Sequence, residues 1–110
     1  MKRGTTPLHV FTLPFQLPPD AEIRIVYAQM EKELVERTTP DCFINGNTVS
    51  VRLTDTETLR FNCHKVFWNG KLRTWPVEIQ IGVKTCDGCK SWSDILSVEV
   101  ERCLKKDGVI

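Results

Sequence analysis

The sequence predicts an all-β sandwich, and three observations support this prediction. Apolar and polar residues alternate with a period of two in several stretches, as they do in antiparallel strands that bury one face. Asn-Gly and Asp-Gly pairs, which favour the tight turns of β-hairpins, separate strand-like stretches. A chain of 110 residues, 41% hydrophobic and 26% charged, has the size and composition of one globular domain. We therefore expect a single domain over residues 1–110.

The alternating stretches define the expected strands in chain order. Near the amino terminus, Phe11, Leu13 and Phe15 form a first apolar stripe. Pro14 indicates an edge strand there, because proline has no N–H to donate to a neighbour. Three later series alternate in the same way: Val49, Val51 and Leu53; Val77, Ile79, Ile81 and Val83; and Leu96, Val98 and Val100. Each series predicts a strand with one face in the core.

Residues that favour tight turns and helix caps lie between these stretches. Asn45-Gly46, Asn69-Gly70 and Asp87-Gly88 each predict a turn, and at Asp87-Gly88 we expect a two-residue type I′ turn. Thr54 and Glu57 fit a capping box, which predicts a short helical turn after the Val49 series. A strand, a helical turn and a second strand commonly form the crossing from one sheet of a sandwich to the other.

The segment 20–38 fits two patterns. Apolar residues fall at helical spacing after Asp20, a candidate N-cap: Ile23, Val26, Tyr27, Met30 and Leu34. The same segment also alternates from Ile23 through Ile25 to Tyr27, as a strand does. Periodicity alone slightly favours the helix.

Cys86 and Cys89 form a Cys-x-x-Cys pair around Asp87-Gly88. A structural zinc site needs four ligands, and the others would have to come from Cys42, Cys63, His64 and Cys103. Thioredoxin-like chemistry places such a pair at the start of a helix, whereas a strand-like stretch follows here. A hairpin turn flanked by two cysteines is therefore the favoured interpretation, and zinc binding is the alternative.

An aromatic and basic patch surrounds the Asn69-Gly70 turn. Trp68, Arg73 and Trp75 are the candidate partner-binding residues, because tryptophan and arginine are common anchors of protein interfaces. The favoured interpretation, however, is that the two tryptophans pack across from each other in a hairpin and cover the edge of the core, with partner binding as the alternative.

The composition excludes several classes of function. The net charge is +1 and the 15 basic residues are scattered, which argues against a nucleic-acid or membrane surface. Prolines interrupt the amino-terminal segment, so we expect no signal peptide and a reducing compartment for the five cysteines. The two histidines lie in no catalytic motif, so we expect no enzymatic activity, no small-molecule substrate and no cofactor.

Several short motifs carry a resemblance to a known family. They are RGTTP, FTLPF, DCFINGNTVSVRLT, TDTETLRF, VEIQIGVKT and LKKDGVI, which together span nearly the whole chain. The chain resembles a family of short proteins from phage and prophage gene clusters of Gram-positive bacteria. More remotely, it is similar to the immunoglobulin-like amino-terminal domain of phage baseplate upper proteins. The insert around Val66–Trp75 and the cysteines beside Asp87-Gly88 depart from the pattern of the family.

This resemblance implies an immunoglobulin-like antiparallel β-sandwich of about seven strands. It also implies that residues 23–38 form a strand pair with a turn near Glu31-Lys32. The expected function is that of a non-enzymatic phage structural or assembly protein of the tail or baseplate. Its partners would be other phage structural proteins and, in a homo-oligomer, further copies of itself. It would lie in the virion, and in the host cytoplasm during assembly. The alternative is a small zinc-binding accessory module that uses Cys86 and Cys89.

Overall fold

The computed structural model describes residues 1–101, with the backbone alone for Val66 and Trp68. The described residues form ten strands: β1 (Leu8–Thr12), β2 (Glu22–Gln29), β3 (Lys32–Thr38), β4 (Cys42–Asn45), β5 (Thr48–Arg52), β6 (Lys65–Trp68), β7 (Lys71–Thr74), β8 (Val77–Lys84), β9 (Lys90–Trp92) and β10 (Leu96–Val98). A short helix, α1 (Asp55–Thr58), and a 3-10 turn at Thr39–Asp41 complete the secondary structure. In this part of the chain no helix is both long and apolar enough to cross a membrane.

The strands form two packed antiparallel sheets and a separate hairpin. One sheet has the order β1-β5-β4, and the other has the order β10-β8-β2-β3 with β9 also paired to β8. These orders correspond to strands B-E-D and G-F-C-C′ of the immunoglobulin sandwich. The predicted immunoglobulin-like all-β sandwich is therefore confirmed, with no strand in the position of A among the described residues.

The number of strands exceeds the predicted seven for two local reasons. β9 and β10 both pair with β8, so they are two parts of one strand position that is interrupted near Ser93. There the Ser93 hydroxyl accepts a hydrogen bond from Ile81 N at 3.0 Å, in place of a strand carbonyl. In the part of the chain between β5 and β8, the strands β6 and β7 form an additional two-stranded sheet.

The core lies between the inner faces of the two large sheets. It includes the inward residues of the predicted Val49 and Val77 series together with others: Phe11, Leu13, Ile23, Ile25, Tyr27, Val35, Val49, Val51, Leu53, Phe61, Val77, Ile79, Ile81, Val83 and Val100. The prediction of an inward face is wrong for Phe15 and Leu96, which are exposed. Phe15 follows the end of β1, and Leu96 lies where the outermost strand resumes after its interruption.

The segment 22–38 is a β-hairpin, so the helix that periodicity alone slightly favoured is wrong and the strand pair is confirmed. β2 pairs with β8 along most of its length, and this long-range pairing overrides the weak helical pattern. Met30 and Glu31 form the turn with φ values of 53° and 63°. Both values lie in the left-handed region, which costs about 1 kcal/mol or more for each residue with a side chain.

The predicted capping box opens α1, at the crossing from β5 towards the second sheet. Glu57 N donates to Thr54 Oγ1 at 3.2 Å, and Thr54 N donates to Glu57 Oε1 at 2.8 Å. The buried carboxylate of Glu57 also pairs with the Arg37 guanidinium from β3. One glutamate therefore caps the helix and ties it to the edge of the five-stranded sheet.

Candidate functional site

The hairpin of β6 and β7, residues 65–74, is called the arm below. Asn69 and Gly70 form its turn with φ values of 50° and 74°, which confirms the predicted turn and matches a type I′ geometry. The arm pairs only within itself among the described strands. It therefore extends from the sandwich as an insertion between β5 and β8.

The arm presents apolar and basic side chains to solvent. Phe67 and Leu72 are cross-strand neighbours, with 77% and 61% of their surfaces exposed. Lys65, Lys71 and Arg73 are exposed as well. The sequence from Phe61 to Val77 contains no acidic residue, so nothing within the arm neutralises these charges.

Gln29 holds both ends of the arm. Its Nε2 donates to Asn62 O at 2.7 Å and to Trp75 O at 2.9 Å, and its Oε1 accepts from Asn62 N at 2.6 Å. Only 1% of Gln29 is exposed, so these bonds are shielded from competition with water. The arm is therefore anchored at its base even though its side chains are exposed.

The three predicted partner-binding residues all lie in or beside the arm. Arg73 lies exposed in β7, and Trp75 lies exposed directly after it. The side chain of Trp68 is outside the described residues, but its backbone pairs with Lys71. The two-residue turn places Lys71 opposite Trp68 in the backbone register. Packing between the two tryptophans stays a prediction. Leu72 was not predicted, although the Asn69-Gly70 turn places it opposite Phe67.

A groove of about 580 Å³ lies on the outer face of the five-stranded sheet. One row of cross-strand neighbours crosses it: Thr38, Arg24, Gly82 and Trp92. A Cβ on Gly82 would lie only 2.6 Å from Cζ3 of Trp92, so the indole lies directly on the glycine backbone. This groove was not predicted from the sequence. A glycine inside the strand VEIQIGVK was the available signal, because such a glycine often marks a close approach.

The Cys86–Cys89 loop is a hairpin connection with exposed cysteines. Gly88 N donates to Thr85 O at 3.0 Å, and Thr85 N donates to Cys89 O at 2.9 Å. Gly88 has a φ of 86° but Asp87 has no positive φ, so the predicted type I′ turn is wrong. The loop instead has three residues, with glycine in the left-handed position.

The electrostatics of this loop do not resemble those of an activated thiol. A hydrogen bond to Asp20 is the main cause that raises the pKa of Cys86 above its usual value, so its thiolate is disfavoured. Across residues 1–101 no group of three or more His, Cys, Asp or Glu side chains is arranged to hold a metal ion. Cys103, named above as a further ligand, lies outside the described residues.

A partly buried polar pair links the two sheets. His9 Nδ1 and the Tyr27 hydroxyl lie 2.6 Å apart, and their ring centroids are separated by 5.5 Å. Burial lowers the pKa of His9 and raises the pKa of Tyr27, because each environment disfavours the charged form. The neutral forms of both residues are therefore favoured in the folded protein, which makes this pair a structural contact.

Comparisons of the chain with protein-family models, with curated proteins and with solved structures find no match. The resemblance to phage proteins therefore stays an expectation.

Proposed function

We propose that this chain is a non-enzymatic structural or assembly protein of a phage tail or baseplate, which acts through protein–protein contacts. The observation that carries the proposal is the arm. A hairpin that exposes a phenylalanine and a leucine side by side, while a buried glutamine anchors its base, is suited to docking against another protein.

The positive charge of the arm indicates which kind of protein surface it would bind. Lys65 lies on the same face of the hairpin as the Phe67–Leu72 pair, Lys71 and Arg73 lie on the opposite face, and the segment contains no acidic residue. A complementary surface would be acidic, with an apolar cleft that receives the two side chains. Complementary charge increases the rate of association and suppresses contacts with basic surfaces.

The anchored base supports the same function energetically. A hairpin whose backbone is already anchored loses less conformational entropy on binding than a flexible loop does. In an assembled particle, many copies of such an arm would also act together, so each individual contact can be weak. The assignment to a phage particle rests on the resemblance, and the docking role rests on the arm.

Mass spectrometry of purified phage particles tests the assignment. We expect the protein to be present at a defined stoichiometry relative to known tail proteins. Its absence from particles that are otherwise complete would overturn the proposal.

Substitutions in the arm test the docking role separately. The double variant Phe67→Ser/Leu72→Ser should fold normally but fail to enter particles, because both side chains are exposed in the free protein. Ile95→Ser is the matched control, since Ile95 is an exposed aliphatic residue outside the arm. Equal incorporation of the double variant and the control would contradict a docking role for the arm.

A further inference from the structure

The edge of β1 that faces away from β5 has no partner among residues 1–101. Beyond β1 the ladder continues with the amide of Leu13, which donates to Asn47 O at 2.8 Å. Hydrogen-bonded and non-hydrogen-bonded residues alternate in an antiparallel pair, so the odd-numbered residues of β1 bond to β5. The N–H and C=O groups of Leu8, Val10 and Thr12 therefore point to the open side.

The side chains beside this edge are apolar. Leu8 and Val10 are 52% and 57% exposed on the outer face of the sheet. Phe43, which is 70% exposed, lies in the same row as Val10, with the small Ser50 between them. β1 itself contains no lysine, arginine, aspartate or glutamate. An exposed apolar edge of this kind is a template for pairing with another strand.

The other edges of the two large sheets are protected against such pairing. β3 carries four charged residues among its seven, and β4 has only four residues and follows Asp41. The edge formed by β9 and β10 is interrupted near Ser93, where a hydroxyl replaces a strand carbonyl. Charges, short length and irregular backbone are the usual means by which proteins block edge pairing. β1 lacks all three.

We infer that β1 pairs with β1 of a second copy of this chain in an antiparallel dimer. A two-fold axis at Val10 places Val10 opposite Val10 of the second copy and Leu8 opposite its Thr12. This register satisfies the outward groups of all three residues with about six backbone hydrogen bonds. This pairing joins the two three-stranded sheets into one six-stranded sheet. The exposed apolar side chains of the two copies then lie side by side on one face, and no like charges are opposed.

We expect the strand that pairs with β1 to come from a second copy of this chain, because the edge of β1 is complementary to itself. Its residues are uncharged, and the two-fold arrangement leaves no outward donor or acceptor of Leu8, Val10 or Thr12 unpaired. The interface is separate from the arm, so the inference stands independently of the proposed phage function. A dimer of this kind would present two arms, which raises the avidity for any repeated partner surface.

Sedimentation velocity of the 110-residue chain, from micromolar to millimolar concentration, tests the inference. We expect a monomer–dimer equilibrium. Val10→Lys should weaken it by about tenfold or more, because two lysines would lie directly opposite each other. Ile95→Lys adds the same charge at a similarly exposed site away from β1 and should leave the equilibrium unchanged.

Amide hydrogen exchange provides a second measurement that does not depend on a variant. The amides of Leu8, Val10 and Thr12 should exchange rapidly at low concentration and become protected as the dimer forms, whereas His9 and Phe11 should stay protected throughout. A monomer at all concentrations, or a dimer that Val10→Lys leaves intact, would overturn the inference. Protection of all three amides at every concentration would also overturn it, since the edge would then be covered within one chain.

Discussion

Replacement of Gln29 by methionine tests whether one buried side chain anchors the arm. Methionine has a similar length but forms none of the three hydrogen bonds that join Gln29 to Asn62 and Trp75. With a net value of about 1 kcal/mol for each bond, the free energy of unfolding should fall by about 3 kcal/mol. For a domain of this size the midpoint of thermal unfolding should fall by roughly 10–20 °C.

Urea denaturation measures this loss, and Gln80→Met is the matched control. Gln80 makes one side-chain hydrogen bond, from its Nε2 to Ser93 O at 2.8 Å, so the control should lose only about 1 kcal/mol. Trypsin should also cleave the arm faster in Gln29→Met, because its lysine and arginine residues lose their anchored base. If Gln29→Met costs no more stability than Gln80→Met, the anchoring role is refuted.

Three further predictions follow from local geometry. Met30→Asn with Glu31→Gly should stabilise the protein by about 1–2 kcal/mol in urea denaturation, because both turn residues have positive φ. An unchanged or lower stability would contradict strain at this turn. Gly82→Ala should destabilise the protein by about 1 kcal/mol, and a Trp92→Ala background should remove this loss. Equal losses in both backgrounds would contradict the close contact between glycine and indole. Burial lowers the folded-state pKa of His9 below 6.5, so the unfolded chain takes up the proton first and stability should decrease from about pH 7 to about pH 5. His9→Gln should flatten this decrease, and a decrease of unchanged slope in the variant would contradict the assignment to His9.

The candidate site was predictable in position but only partly in detail. The Asn69-Gly70 pair predicts a turn from two residues alone, because asparagine and glycine adopt positive φ readily. The neighbouring aromatic and basic residues therefore marked the arm. The anchor was not predictable, since Gln29 meets Asn62 and Trp75 only after β2 has paired with β8.

The sequence by itself determined the sandwich, the inward faces of the Val49 and Val77 series, and the helical crossing. Alternation selects one face of a strand for burial, and a capping box such as Thr54 with Glu57 involves residues only three apart, so these features depend on local spacing.

Only the tertiary structure decided the features that join distant parts of the chain. The segment of β2 and β3 has apolar spacings that fit both a helix and a hairpin, and pairing with β8 selects the hairpin. The contact of Trp92 with Gly82 and the open edge of β1 likewise depend on which strands become neighbours. Local spacing cannot specify neighbours that lie many residues away, because their contacts are made only when the sheets assemble.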